Sequence, residues 1–81
     1  MINDWRKMRK TIERYYDKNH AVLIPDKSFV RWEDNIWLFH GAWLDPDTGK
    51  IKVLLSSQRN GKMRLVHDRD RREIELEYTT V

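Results

Sequence analysis

The residues of this chain best suited to binding chemistry are its arginines, lysines and tryptophans. Arg69, Arg71 and Arg72 belong to the densest cluster of charged residues, 68–72, and Arg59 lies near a predicted turn. Arginine binds phosphate or carboxylate oxygens through two parallel N–H groups, and tryptophan rings stack on nucleic-acid bases. Binders of single-stranded nucleic acid combine both features on one surface. The pattern predicts a nucleic-acid interface with these members: Arg59, Arg69, Arg71, Arg72, Lys52, Trp32 and Trp37.

The same residue types also fit a protein-binding surface. The tryptophans can instead form the core of the domain, and the arginines of residues 68–72 can lie in a solvated turn that Asp68 and Asp70 partly neutralise. Arginine pairs with the carboxylates of a partner protein as readily as with phosphate. The alternative function is therefore a protein–protein interaction module or an inhibitor, of the type that phages and mobile elements encode, which acts by occupying a partner's surface.

The three histidines provide no pattern for a metal site. His20, His40 and His67 are isolated from one another along the chain, and there is no cysteine. Structural zinc sites draw on cysteine and histidine pairs at short spacings. We therefore expect no metal. The chain has no glycine-rich loop, so we expect no nucleotide cofactor either.

The chain also lacks a recognisable catalytic motif. Ser56 and Ser57 have no G-x-S-x-G surroundings. A nuclease site built from His67, Arg64 and Glu75 would need all three side chains on one face. Alternation along the predicted strand places His67 on the face opposite Arg64. The sequence therefore predicts a binding protein without enzymatic activity.

Composition predicts one small domain with unevenly distributed charge. The chain has 81 residues, a net charge of +3 and no cysteine. Residues 1–20 carry six Lys/Arg against three acids, residues 58–72 carry six against two, and residues 73–81 carry three Glu and no base. The lack of cysteine and of a signal peptide is typical of a reducing compartment, so we expect a cytoplasmic protein. No apolar stretch has the length of a membrane span, so we expect no membrane partner.

Residues 4–18 are predicted to form an amphipathic helix. Trp5, Met8, Ile12 and Tyr15 recur at helical spacing and would form its apolar face. Basic residues fill most of the remaining positions. We expect this helix to cover one face of the sheet that follows.

Residues 49–78 alternate between apolar and mostly charged side chains with the period of two that strands show, and residues 21–24, 29–32 and 36–44 are also predicted to form strands. Together with the helix they predict a single α+β domain, residues 1–81, in which a twisted antiparallel meander of five or six strands closes toward a small barrel. That architecture resembles SH3-like and OB-like barrels, although no motif of either family is present. The predicted strands cover residues 21–24, 29–32, 36–44, 50–58, 62–67 and 73–79.

The hairpin around residues 45–49 decides which face of the long strand is buried. Its Pro and Gly favour a four-residue loop that pairs Leu44 with Ile51. This register would place Trp37 and Trp43 on the outer face of the sheet. A five-residue loop would bury the tryptophans instead. Both alternatives fit the sequence.

The next turn sets the faces of the following two strands. A three-residue loop, 59–61, brings Leu55 opposite Leu65 on the inner face, whereas a two-residue loop would turn Leu65 outward. We predict the three-residue loop. It leaves Leu54 and Val66 opposite each other on the outer face, where the N-terminal helix, the other half of a barrel or a partner such as a second copy of the chain would cover them. A monomer and a homodimer are both compatible with this pattern.

The last strand is predicted to pair with residues 62–67. Lys62 would then face Glu77 across the two strands. Arg64 would face Glu75 in the same way. Opposite charges in such positions largely neutralise each other. The free positive charge would remain at the loop arginines.

Overall fold

A computed structural model describes residues 10–67 and 73–81 of the chain. Strands dominate both ranges and form two antiparallel sheets. The fold of the described residues is all-β, so the predicted α+β class is wrong. Its strands are β1 (Lys10–Thr11), β2 (Tyr15–Tyr16), β3 (Val22–Leu23), β4 (Ser28–Trp32), β5 (Asn35–Leu44), β6 (Ile51–Ser57), β7 (Met63–His67) and β8 (Glu75–Thr79).

The predicted helix 4–18 is wrong in its described half, residues 10–18, where two short strands take its place. Tyr15 pairs with Leu23 in the small second sheet, and its side chain is buried in the core. Local helix preference is weak, and tyrosine also favours strands, so these long-range contacts decide the structure. The other half of the predicted helix, residues 4–9, lies outside the described residues.

The main sheet has the strand order β7-β6-β5-β4-β8, and β1 pairs with the end of β5. β8 therefore lies beside β4, and its predicted pairing with residues 62–67 is wrong. The rings of Phe29 and Tyr78 stack at 4.8 Å between β4 and β8. Within residues 10–67 and 73–81, β7 and β8 lie at the two ends of the main strand order and do not pair with each other, so the sheet is open. The predicted closed barrel is therefore wrong as well.

An ion pair between β4 and β8 replaces the predicted pairs of Lys62 and Arg64. The Arg31 guanidinium donates to both carboxylate oxygens of Glu77, at 3.1 and 3.2 Å. These hydrogen bonds, with the positive charge, lower the pKa of Glu77. The pair therefore stabilises the fold above the ordinary carboxyl pKa, and its contribution is lost as the pH falls through the lowered value. Both side chains face solvent, so the contribution is small.

The hairpin between β5 and β6 has the predicted four-residue loop. Leu44 pairs with Ile51 and Ala42 pairs with Val53, which confirms this register. Asp45 N–H donates to the carbonyl of Lys50 at 2.8 Å and closes the loop.

A β-bulge at His40 reverses the faces of β5 along its length. Trp43, beyond the bulge, lies on the outer face, whereas Phe39 and Trp37 lie on the inner face with the core. The sequence leaves the face of Trp37 open, and the bulge places it on the inner face although the loop has the register that would otherwise turn it outward. Gly41 follows the bulge with a φ of +145°, and a Cβ atom there would lie 2.9 Å from Cη2 of Trp43. Glycine is the residue that accepts both this conformation and this close approach.

The turn between β6 and β7 is one residue longer than predicted. Ser57 N–H donates to the carbonyl of Lys62 at 2.8 Å and closes a four-residue loop, 58–61. Ser57 Oγ in turn accepts hydrogen bonds from Asn35 Nδ2 at 2.7 Å and from Arg59 N–H at 3.1 Å. These contacts end β6 at Ser57, and the predicted three-residue loop is wrong.

The longer loop changes which residues of β7 face the core. Leu65 lies opposite Leu54 on the outer face, and Val66 lies opposite Val53 on the inner face. Val66 is buried, whereas Leu65 and Met63 are 41% and 59% exposed. The predicted outer pair of Leu54 and Val66, on which the homodimer alternative is based, is not formed.

The core lies against the inner face of the main sheet, and the β2–β3 hairpin adds two residues to it. The Tyr15 ring stacks on Phe39 with a centroid distance of 6.0 Å. Apolar burial of this kind is the main stabilising contribution in a chain without disulfides. The buried members are Tyr15, Leu23, Val30, Trp32, Trp37, Phe39, Ala42, Val53, Leu55, Val66 and Ile74.

Asp17 joins the β2–β3 hairpin to β8 from a buried position. Its Oδ1 accepts hydrogen bonds from the backbone N–H groups of Asn19 at 2.9 Å and Ala21 at 2.8 Å. Its Oδ2 accepts from Leu76 N–H at 2.7 Å. A buried carboxylate is tolerated when such donors satisfy it. One acidic side chain thus fixes both the hairpin and the position of β8.

Candidate functional site

Trp32 and Trp37 belong to the core. They are 4% and 8% exposed, and their rings meet edge to face at 5.5 Å. Trp37 Nε1–H donates to the Trp32 carbonyl oxygen at 2.8 Å. Stacking of a base requires an accessible ring face. The tryptophan part of the predicted nucleic-acid interface therefore has no support in the fold.

The predicted cations do not form one cluster. Lys52 lies opposite His67 at one end of the β6–β7 hairpin, and Arg59 lies in the turn at its other end. Seven residues of strand separate the two ends by roughly 20 Å. Arg69, Arg71 and Arg72 lie outside the described residues. The structure thus does not bring Lys52 and Arg59 together.

A cleft runs along the outer edge of β7, where the open sheet curls toward the end of β4. Its volume is about 190 Å³. One wall consists of β7 residues, and the other consists of the end of β4, the turn after it and the residue before Ile74. The lining residues are Trp32, Glu33, Arg64, Leu65, Val66, His67 and Glu73.

Arg64 links the two walls of this cleft. Its guanidinium donates to Glu33 Oε1 at 2.8 Å and lies 4.8 Å from the centroid of the Trp32 ring. Glu33 and Asp34 form the two-residue turn between β4 and β5, and both have positive φ values, 49° and 58°. Such values suit the turn that joins two tightly paired strands. The predicted partner of Arg64, Glu75, instead pairs with Lys18 at 3.6 Å.

Trp32 contributes an unpaired hydrogen-bond donor to this region. Its Nε1–H is buried and has no acceptor among the described residues. A buried N–H without an acceptor costs about 1–3 kcal/mol, and most such groups in proteins are paired.

The backbone of β7 also has unpaired groups along this cleft. Ser57 and Lys62 form a hydrogen-bonded pair, and antiparallel pairs alternate between bonded and non-bonded positions. The N–H and C=O groups of Met63, Leu65 and His67 therefore point away from β6. No described strand pairs with β7 on that side. Within residues 10–67 and 73–81, these groups have no backbone partner.

The charge of β7 and the turn before it is entirely positive. Residues 59–67 contain three Lys/Arg and no acid. The opposite wall carries two acids, Glu33, which Arg64 binds, and Glu73. Lysine and arginine are frequent on natural edge strands, where they prevent indiscriminate strand pairing.

Sequence reasoning missed this edge because it assigned β8 as the neighbour of β7. The acidic residues of β8 match the basic residues of β7 well enough to favour that pairing. The cations within residues 62–67 are a signal that could have identified an edge strand. Nothing in the local sequence shows that β8 instead crosses to β4.

The described residues contain no cluster of three or more His, Cys, Asp or Glu side chains that could hold a metal ion. In the same residues, no helix has the length and apolar character needed to cross a bilayer.

Comparison with protein-family models, curated proteins and solved structures gives no match to this chain. The residues of the site are therefore the sole basis for a functional proposal.

Proposed function

We propose that this chain is a protein-binding module that takes an acidic, extended segment of a partner protein along β7. The observation that carries the proposal is the edge of β7 beside the cleft, with which no described strand pairs. Peptides commonly bind by adding a strand to an exposed sheet edge, where main-chain hydrogen bonds give affinity and side-chain pockets give specificity.

The outer face of β7 supplies apolar contacts for such a strand. Leu65 and Met63 are exposed and flank Leu54, which is 8% exposed on the same face. Alternate side chains of an added strand would lie beside them. The other side chains would point toward the cleft, which Trp32 and Arg64 help to line.

Electrostatics favour an acidic partner. Lys62 and Arg59 have no ion-pair partner among the described residues, and Lys52 adds a positive charge near His67 on the outer face. Complementary charge increases association rates and discriminates against basic partners. An acidic segment with alternating apolar residues therefore matches the chemistry of this edge.

Nucleic-acid binding remains a prediction that rests on the cations alone. Phosphate contacts would make the affinity for a labelled single strand fall steeply between roughly 50 and 200 mM salt. The buried tryptophans provide no stacking surface to add to that attraction. The peptide proposal and the nucleic-acid prediction therefore differ in a measurable way, since only the former requires the free N–H groups of β7.

The proposal is tested with peptides selected from a library of linear sequences against the folded chain. We expect the selected peptides to alternate acidic with apolar residues. Leu65→Pro removes one outward N–H group, and proline is tolerated on edge strands where that group faces solvent. It should weaken peptide binding at least about tenfold, which corresponds to about 1.4 kcal/mol. Leu65→Val keeps the N–H group and should retain most of the affinity.

Thermal melts of both variants establish that each is folded. Equal binding by folded Leu65→Pro and the unchanged protein would contradict the proposal. So would selected peptides without acidic residues. Sedimentation of the chain alone would detect a different outcome, self-association, in which β8 of a second copy pairs with β7.

A further inference from the structure

Three polar side chains form a hydrogen-bonded array on the outer face of the main sheet. His40 Nδ1 lies 2.7 Å from Asp26 Oδ1, and His40 Nε2 lies 2.7 Å from Ser56 Oγ. Asp26 lies 14 residues before His40, and Ser56 lies 16 residues after it. No local motif connects the three residues, so the sequence alone predicts nothing of this array.

Two unusual backbone features bring these residues together. His40 occupies the β-bulge of β5, which turns its side chain toward the outer face. Asp26 has a φ of 63°, and its N–H donates to the carbonyl of Phe39 at 2.7 Å, next to the bulge. Bulges often re-aim a side chain, and strained residues concentrate at functional sites. Ser56 then lies within reach on the neighbouring strand β6.

The direction of the hydrogen bonds follows from the chemistry of the groups. An ionised Asp26 carboxylate can only accept, so His40 Nδ1 carries the proton in this contact. Nε2 of the neutral imidazole is then an acceptor, and the Ser56 hydroxyl is the donor. A serine whose proton is held by a histidine that a carboxylate orients is the arrangement of an activated nucleophile.

We propose that Ser56 is a nucleophile toward apolar acyl and phosphonyl compounds, with His40 as its general base and Asp26 as the residue that positions His40. The apolar class follows from the surroundings of Ser56. Leu38 on β5 and Met63 on β7 lie directly opposite Ser56 on its two sides. Phe29 and Tyr78 continue the same row across the outer face.

In a reaction with an ester, Ser56 and His40 supply every bond and proton transfer that the acyl transfer needs. Ser56 Oγ forms a bond to the acyl carbon while its proton passes to His40 Nε2. The bond between the acyl carbon and the leaving alcohol oxygen then breaks, and that oxygen takes the proton from His40. Water later repeats the sequence at the acyl carbon, releases the acid and restores Ser56.

The surroundings of Ser56 indicate slow turnover. β6 is paired on both sides, so the backbone N–H groups near Ser56 already serve the sheet. Removing a single donor from a dedicated oxyanion site costs about 10²–10³ in rate. The expected readout is therefore a covalent adduct on Ser56, because a single reaction suffices to detect it.

A fluorophosphonate probe tests this site in the full chain. Ser56 Oγ attacks phosphorus, the P–O bond forms, the P–F bond breaks and fluoride leaves, while the hydroxyl proton passes to His40 Nε2. Intact mass and peptide mapping should locate one adduct on Ser56. Ser56→Ala should abolish it, and Thr48→Ala, which removes an exposed hydroxyl elsewhere, should leave it unchanged.

Rate measurements distinguish activation from simple accessibility. His40→Gln should slow labelling at least about 100-fold, since a general base contributes about 10²–10⁴. Asp26→Asn should slow it less, and Asp26→Glu should retain more of the rate than Asp26→Asn, as a positioning carboxylate would. Circular dichroism confirms that each variant is folded, and the unfolded chain should not react. Absence of an adduct on Ser56, or an equal rate in folded His40→Gln, would overturn the proposal.

Discussion

Replacing Trp37 with alanine is expected to lower the free energy of unfolding by about 3–5 kcal/mol, as for other buried aromatic residues. Trp37 is 8% exposed, contacts the Trp32 ring edge to face and donates to the Trp32 carbonyl. A domain of 81 residues has a total stability of about 4–12 kcal/mol. The substitution should therefore unfold a large fraction of the molecules. Urea denaturation followed by circular dichroism measures the effect.

Tyr78→Ala is the matched control for this substitution. Tyr78 is also aromatic, but it is 52% exposed on the edge strand β8. Its removal should cost no more than about 1 kcal/mol, mainly through the lost stacking on Phe29. A Trp37→Ala variant that keeps the stability of the unchanged protein and loses partner binding would show that Trp37 is a surface anchor.

Replacing Asp17 with alanine is expected to cost about 3–5 kcal/mol. Hydrogen bonds to charged groups contribute about 1.5–3 kcal/mol each, and the substitution leaves three backbone N–H groups without their acceptor. Water can reach part of the site after truncation, so the full sum is not expected. The β2–β3 hairpin and β8 should loosen together, because Asp17 joins them. Amide hydrogen exchange at Asn19, Ala21 and Leu76 reports this directly.

Asp47→Ala controls for the loss of a surface acid. Asp47 is exposed in the β5–β6 turn, and its side chain makes no hydrogen bond or ion pair in the described structure. Its substitution should change stability by less than about 0.5 kcal/mol. Equal effects of the two substitutions would contradict the structural role assigned to Asp17.

Much of the strand content follows from local sequence. The period of two in residues 51–57 and 75–79 predicts strands that the structure confirms, and the turn chemistry of residues 45–49 predicts the register of β5 against β6. These predictions succeed because they depend on neighbouring residues. Side-chain alternation and proline or glycine at a turn act over a few positions.

The errors arise where a distant contact decides the structure. The spacing of Ile12 and Tyr15 is compatible with a helix, but Tyr15 packs on Phe39 and Asp17 accepts a hydrogen bond from Leu76. The choice of β4 as the neighbour of β8 rests on contacts such as Arg31 with Glu77. Several pairings of charged strands have similar local chemistry, so the sequence pattern does not discriminate among them.

The two candidate sites could not be predicted either, because both depend on contacts between residues that are distant in the sequence. Gly41 within a predicted strand is a signal of the bulge at His40, but it does not show that Trp37 lies in the core or that His40 contacts Ser56. The open edge of β7 depends on the position of β8, which no local pattern reports. Prediction of either site from sequence would require the strand order first.

The central claim, that β7 binds an acidic extended segment, is tested most directly by amide hydrogen exchange and ¹⁵N NMR with a selected peptide. Binding should slow exchange at the outward amides of Met63, Leu65 and His67, and it should shift the indole signal of Trp32. The amides of Arg64 and Val66, which point toward β6, should change little. Unchanged exchange along β7 while the peptide is bound, or protection confined to other strands, would contradict the claim.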